Sequence, residues 1–466
     1  MSFGSAVRGV LPKIRSIPEW GIDSVPQEHR IFGFLDYAVL WGNLGIGLLV
    51  MLAGTFLVPG LSLGRALLAI LVGNALGCVL LALVGKIGSD TGLPTMVLLR
   101  PVLGRRGSYV PTALNVLQLL GWTVFEFIVM GVAADAIGKD LFGVSNYPVW
   151  TAVFAAIVIL MGIGGPVGVV RQWLEKFAVW VAIATSLWLS YKLVTSYDLA
   201  TQWSKAGDGS LTFWVAVDLV IALPISWLPL VADYNRFARR PRRAFWGTGL
   251  GFFVTSAWFL AMGAVLMLGA GVKQEPKDFT TAIALIAGWV ALLILLADET
   301  HNAWADLYST SVSLQNALPK VKQRWFILGL GLVCFGCALL LDVTRYQDFL
   351  YLIGSFFIPL FGILVSDYFV GRRRLYHIQA KGPGPGAYGE GFRAAGLAAW
   401  LFGILAYHVA NPATLGAFIP GWPALVPAAL TAIGGSIPSF AVAFIVHTIL
   451  GSPNWKGNRR DAETQR

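Results

Sequence analysis

The sequence predicts an all-α polytopic membrane protein of twelve transmembrane helices, a 5+5 inverted repeat with broken helices one and six, plus two extra C-terminal helices. Three observations predict this. First, of 466 residues 56% are hydrophobic and 12% charged, where soluble domains carry roughly 25% charged residues, and mean hydropathy is +0.70. Second, apolar runs of about the 20 residues that a spanning helix needs recur along the chain, and basic residues concentrate in every other loop between them. Third, the first and sixth runs are interrupted by residues that break helices.

The runs fall at 32–59, 65–88, 108–137, 147–165, 171–195, 212–234, 244–271, 279–315, 325–341, 347–369, 393–411 and 424–450. The eighth is too long for one straight span and predicts a turn, kink or amphipathic extension. Excess Lys and Arg mark cytoplasmic loops. Arg100, Arg105 and Arg106 follow span two, Arg171 and Lys176 span four, and Arg236, Arg239, Arg240, Arg242 and Arg243 span six. Lys320, Lys322 and Arg324 follow span eight, Arg372, Arg373 and Arg374 span ten, and Lys456, Arg459 and Arg460 lie in the tail. The opposite loops hold only Lys139, Lys205, Lys273, Lys277 and Arg345. Both termini are therefore expected in the cytoplasm, with the chain in the cell inner (plasma) membrane. Met1–Arg30 carries no apolar run that would serve as a signal peptide.

The expected organisation is a cytoplasmic segment 1–31, a first repeat 32–195, a second repeat 212–369, a cytoplasmic linker 370–392, two further spans in 393–450 and a tail 451–466. The Gly- and Pro-rich stretch Lys381–Gly391 reads as a flexible connector. The net charge of +10 is accounted for by cytoplasmic loops, so no nucleic-acid partner is expected. Cys334 and Cys337 form a CxxC within an apolar run without further ligands and read as packing residues; Cys78 stands alone.

Span one places Gly42, Gly45 and Gly47 around Asn43, and span six places Pro224 and Pro229 around Trp227. Gly permits unwinding and Pro removes a backbone donor. Interrupted spans at corresponding positions of two halves point to the binding site of a secondary transporter.

Ionisable residues deep in a span are costly and point to function. Asp36, Asp135, Asp233, Asp342 and Asp367 lie near span ends, where solvated or capping roles are expected, and Asp218 is ambiguous. Glu126 lies deep in span three, four residues after Trp122, so an indole and a carboxylate share one face. In span eight Glu299, Asn302 and Asp306 line one helix face, and Asp298 and His301 the adjacent one. Such a cluster suits a ligand site, a cation site or a proton relay: carboxylates and carbonyls are hard ligands, and an imidazole can carry a proton.

These residues bring a family into view. GNALGCVLLALVGKIGSDTGLP after span one, QLLGWTVFEF in span three, SWLPLVADYNRFAR in span six, ETHNAWADLYSTSVS in span eight and GSFFIPLFGILVSDYF in span ten occur in order. Over residues 25 to 450 the chain resembles the first nucleobase:cation symporter family, which includes cytosine and purine permeases and the hydantoin transporter. The resemblance implies a broken-helix inverted repeat with substrate between spans one, three, six and eight. It implies that Trp122 and Trp227 sandwich the substrate, with Glu126, Asn302 and Asp306 at its polar edge and Asn43 and Gly47 in the span-one break. Phe356 and Phe357 fall near the span-ten gate. The family's sodium site implies backbone carbonyls at the span-one break, near Ile46, and span-eight positions matching Ala297, Thr300 and His301. His301 stands where a hydroxyl residue is expected, so sodium and proton both remain as coupling ions, with Asp298 and Glu299 beside it.

Glu126 and Asp306 replace neutral amides of the hydantoin branch. Ionised carboxylates only accept hydrogen bonds, which favours a donating substrate: cytosine, the hydroxymethyl aminopyrimidine precursor of thiamine, or an aminopurine. The span-eight wording is most similar to the hydroxymethylpyrimidine branch. A purine, allantoin or hydantoin permease of the same family is the alternative, and a channel or a non-transporting receptor the alternative from another class. No filter-like ring supports a channel, and no nucleophile or metal constellation supports an enzyme. The expected partners are a small nucleobase-like molecule and the lipid bilayer, with no cofactor beyond Na+ or H+ and a monomer as the working unit.

Overall fold

The computed structural model describes residues 20–164, 179–271, 275–341, 346–372, 376, 391–416, 419–431 and 433–451. Several residues named above therefore lie outside the described residues: Arg171, Lys176, Lys273, Asp342, Arg345, Arg373, Arg374, the tail charges and connector residues 381–390. Among the described residues all regular structure is helical, apart from a lone backbone bridge between Phe32 and Ala238.

The long helices are α1 Phe34–Leu44, α2 Leu48–Thr55, α3 Leu63–Thr91, α4 Tyr109–Phe142, α5 Tyr147–Gly164, α6 Val179–Ser196, α7 Phe213–Ser226 and α8 Val231–Asn235. They continue with α9 Pro241–Ala270, α10 Pro276–Ala287, α11 Trp289–Ala317, α12 Gln323–Ala338, α13 Tyr346–Val365, α14 Ala394–Ala410 and α15 Ser436–Leu450. Five helices among the described residues, α3, α4, α5, α9 and α13 with its π-helical extension to Gly371, are long and apolar enough to cross a membrane, and the bent pair α1–α2 makes a sixth.

Span one breaks where the glycines stand. α1 and α2 meet at 56° across residues 45–47. A Cβ on Gly45 would collide with Thr255 Oγ1 and lie 3.0 Å from Ser256 N of α9, so the break is also a point of close helix approach. Span six breaks too: α7 contains Pro224 and ends at Ser226, and α8 begins at Val231. The overlong eighth run is two helices, separated at Gly288 with φ 88° and ψ 159°, a conformation that favours glycine.

The twelfth run differs from expectation. Its apolar start forms only short 3-10 turns after Pro423 and at Ala428–Thr431, and the α-helix begins at Ser436. Pro423 and Pro427 lack backbone donors, and Gly434 turns the chain at φ +70°. Arg236, counted above among loop charges, is buried: its guanidinium donates to the carbonyls of Gly21 at 2.6 Å and Asp233 at 3.1 Å.

The helices pack in groups. α1, α2, α3, α7, α8 and α9 contact one another; α4, α5, α11 and α12 form a second set; α14 and α15 pack together against α13, which also touches α7. Large apolar side chains such as Leu160, Trp180, Leu187 and Leu332 face outward, as expected where the surroundings are lipid. α11, the most polar long helix, is enclosed from Asp298 to Ser313. Both breaks therefore abut helices of the second set.

Candidate functional site

The first break is tied to α11 by acidic and amide side chains. A helix N-terminus presents N–H groups without intrahelical partners. At α2 they find Glu299: Leu48 N donates to Oε2 at 2.8 Å and Leu49 N to Oε1 at 3.4 Å. The positive end of the helix favours an anion there. Asn302 Nδ2 donates to Ile46 O at 3.1 Å, and a Cβ on Gly47 would lie 2.9 Å from that same nitrogen. Glycine at 47 thus lets both α11 side chains reach the break. Asn43 Nδ2 donates to Asp298 Oδ1 at 2.9 Å, and His301 Nδ1 lies 3.4 Å from Asn43 Nδ2 and 3.6 Å from Asp298 Oδ1. All of these side chains are buried.

The second break is tied to α4 by a neutral amide. Gln118 Nε2 donates to Ser226 O, the last carbonyl of α7, at 2.7 Å. Trp227 follows, with its ring edge-on to Trp41 at 6.0 Å and to Phe252 at 6.5 Å. Trp122, on the same face of α4 as Gln118, is boxed edge-on by Tyr346 at 5.7 Å and Phe349 at 5.4 Å from α13. Among the described residues no ring contact joins Trp122 to Trp227.

The geometry adds neighbours to two of the expected residues. Glu126 is not isolated on α4: its carboxyl group lies beside that of Glu299 on α11. The rings that α13 sets against Trp122 are Tyr346 and Phe349, and the gate candidates are Phe356 and Phe357. Those two lie further along α13, Phe357 buried and Phe356 half-buried with its carbonyl accepting from the Trp400 indole. Tyr346 and Phe349, one turn apart on α13, stand at the height of Trp122.

Asp306 is buried on α11, and its side chain accepts no hydrogen bond among the described residues. Trp122 Nε1, Glu126 Oε2, Asn302 Oδ1, Gln118 Oε1, Asp298 Oδ2 and His301 Nε2 are likewise buried without a hydrogen-bond partner. Buried polar atoms are normally paired, so such a concentration marks a place that receives polar groups from elsewhere. Of these atoms, those of Gln118 are absent from the sequence-based expectations. A signal for them exists in the sequence: Gln118 stands four residues before Trp122 as Glu126 stands four after.

The oxygens that a sodium ion would use make hydrogen bonds within the protein and keep lone pairs besides. Ile46 O accepts from Asn302, Thr300 Oγ1 donates to Ala297 O at 2.6 Å, and an imidazole occupies position 301. The remaining acids are structural. Asp36 bonds Gly33 N at 2.8 Å, Asp135 accepts from Ser145 and Asn146, and Asp233 caps Thr95 N at 2.9 Å. Asp367 pairs with Arg372, and Asp218 accepts from Gly435 N and Ser436 N at the start of α15. Cys334 and Cys78 are buried and free. A groove of about 460 Å³ between α6 and α11, lined by Trp180, Trp188, Val290 and Ile294, is apolar and faces outward, away from this polar cluster.

Residues 24–450 match the family described as permease for cytosine/purines, uracil, thiamine, allantoin. The chain belongs to this family. It is a multi-pass membrane permease, not an enzyme. The chain is 25% identical over 370 residues to the hydantoin permease of Microbacterium maritypicum, covering 74% of each protein. It is 28% identical over 364 residues to the cytosine permease of Escherichia coli (strain K12), covering 76% of this chain and 81% of the relative. Its fold is that of a nucleobase-cation-symport-1 family transporter solved in a closed conformation with bromovinylhydantoin bound, at a TM-score of 0.79 and 21% identity, covering 95% of this chain and 96% of that one. This permease is thus a cation-coupled transporter by family, with two broken helices facing a polar cluster.

Proposed function

We propose that this permease imports an aminopyrimidine, cytosine or hydroxymethylpyrimidine, by alternating access. The observation that carries this is the imbalance of buried, unpartnered atoms around Trp122. Gln118 Oε1 and Asn302 Oδ1 accept, the Trp122 indole donates, and His301 Nε2 and the carboxyl groups of Glu126 and Asp306 can do either according to where the protons sit. A ligand with an exocyclic amine beside a ring nitrogen satisfies more of these atoms than one presenting carbonyls, and an unmet buried acceptor is costly. Trp122 and Trp227 offer ring faces to a flat heterocycle, and Asn43 and Gly47 shape the break beneath it.

The coupling ion is read as a proton rather than sodium. The imidazole of His301, standing where the family places a hydroxyl, supports this, as does the cluster of buried carboxyl groups of Glu126, Glu299 and Asp298 beside it. The matched breaks α1–α2 and α7–α8 support twelve spans arranged as inverted repeats 32–195 and 212–369, followed by two spans in 393–450. We place the chain in the inner membrane as a monomer with both termini cytoplasmic.

Uptake of radiolabelled cytosine into proteoliposomes under an imposed proton or sodium gradient tests this reading, with hydroxymethylpyrimidine, adenine, uracil and hydantoin as competitors. Accumulation driven by protons and competed by the amino heterocycles is the expected outcome. Competition by uracil or hydantoin alone would favour the hydantoin-type alternative, and no accumulation under either gradient would rule out cytosine as the substrate.

A further inference from the structure

Gln118 is buried on α4 at 4% exposure, one turn before Trp122. Its amide nitrogen serves two acceptors: Ser226 O at 2.7 Å and Asn115 Oδ1 at 3.1 Å. Asn115 is itself oriented by donating to Ser313 Oγ of α11 at 2.8 Å. A backbone carbonyl can only accept, so the end of the Gln118 amide at Ser226 is the nitrogen. The opposite end, Oε1, is an acceptor held in place with no donor against it. It lies on the Trp122 face of α4, in a side chain bonded to the residue that precedes Trp227. Asn302 repeats the device at the other break: Nδ2 is on Ile46 O, and Oδ1 is buried without a partner.

We propose that Gln118 is a specificity-determining residue: its Oε1 accepts a hydrogen bond from the exocyclic amine of the heterocycle while its Nε2 holds the Ser226 carbonyl. This inference rests on the reading of the protein as an aminopyrimidine permease. The amide cannot turn to offer its nitrogen to a substrate carbonyl without placing its oxygen against Ser226 O and Asn115 Oδ1. A ligand with a carbonyl in place of the amine therefore meets oxygen with oxygen. The same side chain links the occupied site to the end of α7, so the amine is sensed at the second break.

The test is equilibrium binding to the purified full chain of cytosine and of its analogue lacking the exocyclic amine, in wild type and in Gln118→Met. The wild type should prefer cytosine by about tenfold, the worth of one well-placed buried hydrogen bond. In Gln118→Met that preference should fall to less than about twofold on the same reasoning. Should Gln118→Met fail to fold, Gln118→Asn, whose shorter side chain withdraws the oxygen, gives the same ratio. An unchanged preference in a folded variant overturns the inference and leaves the permease reading standing. If the wild type binds neither ligand, the aminopyrimidine reading falls and this inference with it.

Discussion

The two helix breaks of this permease are held by opposite chemistry. The first, between α1 and α2, is tied to α11 by Glu299, Asn302 and Asp298, with His301 and Glu126 adjoining. The second, between α7 and α8, is tied to α4 by the neutral amide of Gln118, and Trp227 stands beside it. A carboxylate at a helix N-terminus responds to the gain or loss of a proton or cation, because its charge is what holds the cap. An amide fixed between two acceptors responds to geometry alone. On the proposed reading, ion coupling belongs to the first break and substrate recognition to the second, with Asn302 reaching from the first toward the substrate.

The largest expected effect is at the first break. Glu299→Ala strips the acceptor from Leu48 N and Leu49 N; at about 1–3 kcal/mol for each buried unpaired donor, the protein should lose roughly 2–6 kcal/mol. The loss appears as a lowered Tm in detergent, and an unchanged Tm would mean that the break is held by something else. Trp122→Ala should weaken binding by about 1–3 kcal/mol, by analogy with base stacking, while the ion dependence of transport stays as in wild type. A shift in ion dependence would erase the division between the breaks. Gly47→Ala sharpens the comparison from the backbone side. Its Cβ would lie 2.9 Å from Asn302 Nδ2 and 3.1 Å from Glu299 Oε2. Overpacking of this kind costs about 1–3 kcal/mol and should reduce accumulation more than binding. The smallest effect is expected for Thr300→Ala, which loses one bond within its own helix, worth about 0.5–1.5 kcal/mol of stability. Uptake should stay near wild type; a collapse of uptake restored by high sodium would reinstate a sodium site at α11.

How far these features are legible in the sequence follows from what hydropathy and helical spacing encode. Span positions are legible, since apolar runs report burial in lipid or core. The overlong eighth run already announces the turn found at Gly288. The late start of α15 is not legible, because the residues between Pro427 and Gly434 are apolar enough to pass for a span although they form only 3-10 turns. In the site, spacing places Glu299, Asn302 and Asp306 on one face, and two of them reach the first break. What spacing cannot supply is the facing helix. Glu126 reads as a lone substrate acceptor because nothing local shows that Glu299, far along the chain, lies against it. For Gln118 the spacing to Trp122 is legible but its partner is not: Ser226 contributes a backbone carbonyl, available only because α7 ends there.

The division between the breaks is tested most directly by comparing counterflow exchange of cytosine with gradient-driven accumulation, in the same proteoliposomes, for wild type and Glu299→Gln. Exchange requires recognition and movement of the substrate but no net ion coupling. The variant is expected to exchange cytosine at a rate near wild type and to lose accumulation. Loss of exchange and accumulation together, in a variant that still binds cytosine, would contradict the assignment of coupling to the first break, as would retention of both.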